Sequence, residues 1–184
     1  RQRQMCIRDR DEAILLPYFN EEAPEDFALV LAPHEIHEEH LRAIESGLKR
    51  PSIRLSEYDE AKGLPEGTAC IIIDCFGLLS SVYRYGRWAY VGGGFGKSVH
   101  NTLEAAVYGI PVFFGPEIHK HREVRELVRR SSGFILHDRV ELSQLLQRFS
   151  SEEECKALEA RTRAYFSEEC GATAAILGDI LPSE

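Results

Sequence analysis

Short apolar runs alternate with segments of helical periodicity along most of this 184-residue chain. The runs are rich in residues that favour strands, and they occupy residues 27–32, 70–73, 88–91, 110–114 and 133–136. Helical spacing is found at residues 36–46, 78–85, 101–108, 120–130 and 140–149, and again at 151–166 and 171–181. Strands that alternate with helices are typical of a parallel sheet with right-handed crossovers. The pattern therefore predicts an α/β domain with a Rossmann-like parallel sheet flanked by helices.

Composition narrows the range of partners. The net charge of −8 argues against a nucleic-acid binder, which usually concentrates Lys and Arg on one face. No apolar run approaches the ~20 residues of a membrane helix. The five cysteines show no Cys-x-x-Cys spacing, which predicts free thiols in a reducing compartment.

The first ten residues differ from the rest of the chain in charge. Four arginines against Asp9 give this segment a charge of +3, whereas the whole chain carries −8. The segment lacks the apolar stretch of a signal peptide and resembles translated adapter read-through from sequencing. We therefore interpret residues 1–10 as a non-native leader and residues 11–184 as one domain.

The segment at residues 91–111, VGGGFGKSVHNTLEAAVYGIP, carries the main candidate site. Its glycines at positions 92–94 and 96 leave backbone amides uncovered directly after a predicted strand. A helix is expected to begin near His100 or Asn101. A strand, a glycine loop and a helix N-terminus together predict an anion site.

Two common phosphate-binding motifs fail at this segment. A Walker loop would need a glycine where Val91 stands, and a dinucleotide fingerprint would need one where Lys97 stands. Neither ATPase nor hydride-transfer chemistry is therefore indicated.

Asn101 and Glu104 lie about one helical turn apart in this prediction. A carboxylate that accepts two hydroxyl hydrogen bonds recognises a ribose, while amides at the start of the helix take a phosphate. The alternative is that Asn101 is only a helix cap and Glu104 only a solvated surface residue. The residues alone leave both interpretations open.

The string YVGGGFGKSVHNTLEAAVYGIPVFFGP resembles the donor-site signature of the 3-deoxy-D-manno-octulosonic acid (Kdo) transferases of lipopolysaccharide assembly. This resemblance implies one half of a GT-B glycosyltransferase fold. Residues 11–184 would form its C-terminal domain, which binds the nucleotide-sugar donor. An N-terminal acceptor domain, which carries the catalytic carboxylate base, would lie outside this chain.

Two further segments are similar to the family. Pro33 and His34 stand where the family usually has a Pro-Arg pair, and Phe76, Gly77 and Leu78 stand in a segment that is commonly Asp-Thr-Met-Gly-Glu. His34 thus replaces a permanent cation, and Leu78 replaces a carboxylate. The resemblance implies that the donor nucleotide contacts Pro33, His34, Phe76, Gly77, Leu78, Gly93, Gly94, Asn101, Thr102, Leu103 and Glu104.

Several other polar residues lie near these segments. The additional candidates for donor binding are Lys97, His100, His119 and Lys120. The histidines at 34, 37 and 40 lack the i, i+4 spacing of a zinc helix, so no metal site is predicted. His37 and His40 are expected to be solvated helix positions. The arginines between residues 122 and 130 alternate with glutamates, which predicts a salt-bridged helix face.

The resemblance implies an inverting transfer of Kdo from CMP-Kdo to a lipid A precursor, lipid IVA, without cofactor or metal. The catalytic residues would lie outside this chain, so the 184 residues alone are expected to be inactive. The whole enzyme would sit peripherally on the cytoplasmic face of the inner membrane. The alternatives are another GT-B enzyme such as a UDP-sugar epimerase, a non-catalytic nucleotide-binding module and an inert fragment.

Overall fold

A computed structural model describes residues 2–96 and 98–169 of the chain. Lys97 and the helix predicted at 171–181 lie outside these residues. The helices are α1 Gln2–Glu21, α2 Glu38–Gly47, α3 Leu79–Val82, α4 Leu103–Ala106, α5 Arg122–Arg129, α6 Arg139–Arg148 and α7 Glu152–Glu169. The strands are β1 Leu29–Leu31, β2 Ser52–Arg54, β3 Cys70–Ile72, β4 Ala89–Val91, β5 Val112–Phe114 and β6 Gly133–Ile135. The predicted α/β class is confirmed.

All described strand pairs are parallel, as expected, but the strands form two three-stranded sheets rather than one continuous sheet. The chain divides into two compact units, each of which contains one sheet. The first unit comprises Arg1–Val82 with Asp138–Ser143, and the second comprises Tyr83–His137 with Gln144–Glu184.

The first unit contains the sheet β1-β3-β2. Leu31 of β1 and Arg54 of β2 both align with Ile72 of β3, so the three strands end at the same edge. One hydrophobic cluster joins this sheet to α1 and α2 and comprises Phe19, Leu29, Leu41, Ile44, Cys70 and Ile72. Segments that follow β1 and β3 therefore leave the sheet side by side.

The second unit contains the sheet β4-β5-β6. All three residues of its central strand, β5, are fully buried, as is usual for a parallel strand covered on both faces. Phe113 contacts the rings of Trp88, Phe134 and Phe149. On α7, in the segment predicted to be helical at 151–166, Leu158, Thr162 and Tyr165 are buried on one side of the helix. The ring contacts pack β5 into the interior of the second unit.

Two elements depart from the sequence prediction. β2 was missed because its sequence, Ser-Ile-Arg, has one apolar residue, and its pairing with β3 defines it. Only a single α-helical turn, α3, forms in the helix predicted at 78–85, and a 3-10 turn follows at Tyr83–Tyr85. Helix α1 includes residues 2–10 and also contains Pro17. That residues 1–10 are a non-native leader stays a prediction.

Arg54 links β2 to α2 through two carboxylates. Its guanidinium donates to Glu45 at 2.6 and 2.8 Å and to Glu38 at 2.7 and 3.2 Å. The hydrogen bond from Arg54, which has the larger effect, and the hydrogen bond from Arg42 lower the pKa of Glu38 from 4.5 to about 2. The Arg54 bond likewise lowers the pKa of Glu45.

We expect Arg54→Met to reduce the loss of stability in acid. Because the pKa values of Glu38 and Glu45 are lowered in the folded state, the two ionised carboxylates stabilise the fold at pH values above the ordinary pKa of 4.5. This contribution is lost as the pH falls towards 2. Urea unfolding at about pH 7 and about pH 3 measures the difference. Arg42→Met is the control, because Arg42 pairs with the same Glu38 from a side chain that is 74% exposed. An acid-induced loss equal to that of the wild type would contradict the role of Arg54.

Candidate functional site

The glycine loop, described at residues 92–96 and 98–100, follows β4, and two backbone hydrogen bonds join its described residues. The amide of Gly96 donates to the carbonyl of Gly93, and the amide of His100 donates to the carbonyl of Gly92, both at 3.0 Å. Gly93 has a φ of +91°. A Cβ at Gly93 would lie 2.6 Å from the carbonyl oxygen of Ser98 and 3.1 Å from the His100 ring. Glycine is therefore required at position 93 by conformation and by space.

The glycine loop is also joined to the segment that follows β5. Gly94 and Gly115 are in backbone contact, and a Cβ at Gly94 would lie 2.6 Å from the amide nitrogen of Gly115. The amide of Glu117 donates to the carbonyl of Gly94 at 2.8 Å, and the amide of Val99 donates to the carbonyl of Glu117 at 3.4 Å. The two loops that follow β4 and β5 are thus in direct contact at the carboxyl end of the sheet. Open α/β sheets bind ligands at this end.

Asn101 and Glu104 lie together, but the predicted helix start is wrong. α4 begins at Leu103, not at His100 or Asn101, and it contains four residues. The Asn101 side chain replaces the missing turn, since its Oδ1 accepts from the Leu103 amide at 3.1 Å. Its Nδ2 donates to Glu104 Oε1 at 2.9 Å. So short a helix has little macrodipole, and an anion here would depend mainly on loop amides.

Thr102 and Leu103 turn their side chains into the protein. Thr102 is 1% exposed, and its hydroxyl has no hydrogen-bond partner among the described residues. Leu103 packs against the core of the second unit. A contact from Thr102 to a ligand would therefore have to come from its backbone, whereas Leu103 is only partly buried.

Tyr83, which was not among the residues predicted from the sequence, lies near Glu104. The 3-10 turn that contains Tyr83 packs against α4. Burial, together with the negative charge of Glu104, raises the pKa of Tyr83 to about 12. The phenol therefore stays neutral at physiological pH and keeps its O–H as a hydrogen-bond donor beside the carboxylate.

In the first unit, the predicted site residues follow β1 and β3 at their shared edge. Pro33 and His34 come after β1, and Phe76, Gly77 and Leu78 come after β3. The Phe76 side chain is 82% exposed, and Gly77 has a φ of +89°. An exposed phenylalanine beside a glycine turn offers a flat apolar surface to a ligand.

Asp74 anchors the segment that carries Phe76. Its carboxylate accepts hydrogen bonds from the Ser56 amide, at 3.0 Å, and from the Ser56 hydroxyl. Burial alone would raise the pKa of Asp74, but these bonds outweigh burial and hold the pKa below its usual range. The ionised Asp74 carboxylate therefore links the turn that follows β2 to the segment that follows β3.

The remaining candidates for donor binding that the structure describes lie at the protein surface. His100, His119 and Lys120 are exposed, and the carbonyl of His119 accepts a hydrogen bond from Arg125. Lys97 lies outside the described residues. A neighbouring side chain, His121, contacts both Ser98 and Glu123, an arrangement that sequence reasoning did not identify.

The second and third histidines of the 34–40 segment behave differently from each other. His37 is exposed, as expected, and its ring nitrogen accepts from the His40 amide at the start of α2. The expectation that His40 is solvated is wrong. Its side chain is 12% exposed, and it bonds to the Glu12 carboxylate at 2.7 Å and to the Glu35 carbonyl at 2.9 Å. These contacts tie α1 to the segment before α2.

The described ranges contain no group of three or more His, Cys, Asp and Glu side chains that could hold a metal ion. Within residues 2–96 and 98–169, no helix combines the length and apolar character needed to cross a bilayer.

Sequence comparison finds several relatives. No family model matches the chain. The 3-deoxy-D-manno-octulosonic acid transferase of Aquifex aeolicus is 32% identical over 134 residues, which are 71% of this chain and 36% of that protein. The enzyme of the same name from Chlamydia muridarum is 30% identical over 122 residues, which are 62% of this chain and 26% of that protein. The chain thus spans about a third or less of the curated relatives that it matches.

Structure comparison agrees with the sequence comparison. The C-terminal CMP-Kdo binding domain of WaaA from Acinetobacter baumannii matches with a TM-score of 0.69 and 21% identity, over 83% of this chain and 79% of that domain. The match confirms the expected half of a GT-B fold. The chain is thus a homologue of the 3-deoxy-D-manno-octulosonic acid transferases over the part of their length that it matches, and it has the fold of a C-terminal domain of this kind.

Proposed function

We propose that this chain is the donor-binding part of a Kdo transferase and that it binds CMP-Kdo. The observation that carries the proposal is the arrangement after β4, where a glycine loop with φ of +91° at Gly93 precedes the hydrogen-bonded pair Asn101 and Glu104. Its relatives are named for transfer of the same sugar acid.

The chemistry of the arrangement fits a nucleotide. Backbone amides of glycine loops bind phosphate oxygens, and an ionised carboxylate accepts hydrogen bonds from the two ribose hydroxyls. The Asn101 amide holds one oxygen of Glu104, which fixes the direction of the carboxylate. We propose contacts from Gly93, Gly94, Asn101 and Glu104, with backbone contacts from Thr102 and Leu103.

The first unit is proposed to contribute the residues assigned by resemblance. Phe76 offers its exposed ring for stacking, and Gly77 and Leu78 continue the same turn. Pro33 and His34 follow the neighbouring strand. His34 stands where the family usually has an arginine, so this position offers an imidazole to the donor in place of a guanidinium.

The reaction itself is assigned to the longer enzyme. We propose an inverting transfer in which an acceptor hydroxyl of a lipid A precursor attacks the anomeric carbon of Kdo. The bond from that carbon to the phosphate oxygen breaks, and CMP leaves with this oxygen. Deprotonation of that hydroxyl is general-base work, and the base is proposed to lie in the acceptor domain. That domain would also dock at the cytoplasmic face of the inner membrane.

Calorimetry on the 184-residue chain with CMP, UMP and UDP tests the proposal. We expect CMP to bind at least about tenfold more tightly than either uridine nucleotide, a difference of about 1.4 kcal/mol. Tighter binding of UDP would instead favour an epimerase-like enzyme. An accompanying assay with CMP-Kdo and lipid IVA is expected to show no transfer, and turnover above background would place the catalytic base in this chain.

A further inference from the structure

Ser98, His121 and Glu123 form a hydrogen-bonded chain that runs from the glycine loop to α5. The Ser98 hydroxyl contacts His121 Nε2, and His121 Nδ1 lies 3.1 Å from Glu123 Oε1. The side chains of His121 and Glu123 are 32% and 39% exposed. Ser98 and His121 are 23 residues apart, so the contact is tertiary.

The acceptor character of Glu123 sets the direction of both bonds. An ionised carboxylate only accepts, so Nδ1 of His121 must be the protonated nitrogen. In the neutral ring Nε2 is then an acceptor, and the Ser98 hydroxyl donates to it. Glu123 thereby selects the tautomer of His121 that can hold Ser98.

The position of Ser98 matters for the glycine loop. Its carbonyl oxygen lies over Gly93, 2.6 Å from where a Cβ would stand, at the residue with positive φ. Val99, the next residue, donates its amide to the Glu117 carbonyl at 3.4 Å. Two consecutive residues at the end of the glycine loop, Ser98 and Val99, are therefore both hydrogen-bonded to the segment that follows β5.

We propose that His121 is a positioning residue that, oriented by Glu123, holds Ser98 and so keeps the glycine loop in the conformation that receives the donor phosphate. The ligand-binding part of this inference rests on the proposed function. His121 acts through Ser98 and does not itself need to contact the donor.

A hydrolytic role for the same three groups has less support. Serine hydrolases share this order of groups, and many of them use the amide that follows the nucleophile to stabilise the oxyanion. Here that amide belongs to Val99 and is already bonded to Glu117. Positioning accounts for all three side chains without an additional reaction.

Hydrogen exchange of residues 92–100 tests the positioning role without any ligand. We expect His121→Ala and Ser98→Ala each to accelerate exchange in this loop about fivefold, as loss of one hydrogen bond predicts. The double variant should resemble either single variant, because both remove the same bond. His121→Gln, whose side-chain amide can still accept from Ser98, should restore slow exchange. Unchanged exchange in the folded variants, or additive effects in the double variant, would overturn the proposal.

CMP calorimetry on the same variants tests the consequence for binding. The two alanine variants should weaken CMP about three- to tenfold, and His121→Gln should remain close to the wild type. Ser150→Ala is the matched control, because its hydroxyl bonds to the Gln147 carbonyl, three residues away and outside the glycine loop. Thermal unfolding identifies variants that fail to fold. If the wild type binds no CMP, the proposed function fails, while the exchange data still decide whether His121 holds the loop.

Discussion

Gly94→Ala is expected to destabilise the protein by about 3 kcal/mol, at the upper end of the usual cost of overpacking. The added Cβ would stand 2.6, 2.7 and 2.8 Å from the amide nitrogen, the Cα and the carbonyl oxygen of Gly115. All three are backbone atoms between two strand ends, so no side-chain rotation relieves the clash. Because the strain falls on the glycine loop, CMP binding should fall with stability. Urea unfolding and calorimetry measure the two effects.

Two further variants make this prediction specific. Gly115→Ala places its Cβ 2.6 Å from the carbonyl carbon of Gly94, so it should cost a similar amount from the opposite side. Gly47→Ala is the control, since its nearest neighbour is a flexible methyl group of Leu16 at 3.2 Å. Gly47 ends α2, where alanine favours the helix by up to about 1 kcal/mol. A neutral Gly94→Ala would show that the two loops do not meet closely.

Glu104→Ala is expected to weaken CMP about 10- to 100-fold, which corresponds to about 1–3 kcal/mol for charge-assisted hydrogen bonds. Glu104→Gln keeps one acceptor oxygen and should lose less. Asn101→Ala should lose an intermediate amount, because Asn101 orients the carboxylate at 2.9 Å. Isothermal calorimetry gives all three values.

The ligand itself supplies the decisive control for Glu104. If the carboxylate binds ribose, 2′,3′-dideoxy-CMP should bind the wild type weakly and should bind Glu104→Ala with the same affinity. An equal loss for CMP and the dideoxy compound would show that Glu104 does not contact the hydroxyls. Glu153→Ala, at an exposed position in the first turn of α7, should leave CMP affinity unchanged.

Sequence patterns predicted elements well where burial is continuous. The run at 110–114 contains β5, whose three residues are all buried, so an uninterrupted apolar run was a sufficient signal. β2 is half-exposed and polar at both ends, and only its pairing with β3 defines it. The start of α4 was misplaced because the Asn101 side chain satisfies the Leu103 amide, so the residues before Leu103 do not need to be helical.

The amino-acid sequence alone determined the α/β class, the glycines after β4 and the proximity of Asn101 to Glu104, because each of these depends on residues that are close in sequence. Tertiary structure alone decided the division into two sheets, the buried contact of His40 with Glu12 and the link from Ser98 through His121 to Glu123. Partners in these contacts lie as many as 28 residues apart. Local propensity carries no information about such distances, so they are set by how the strands and helices pack.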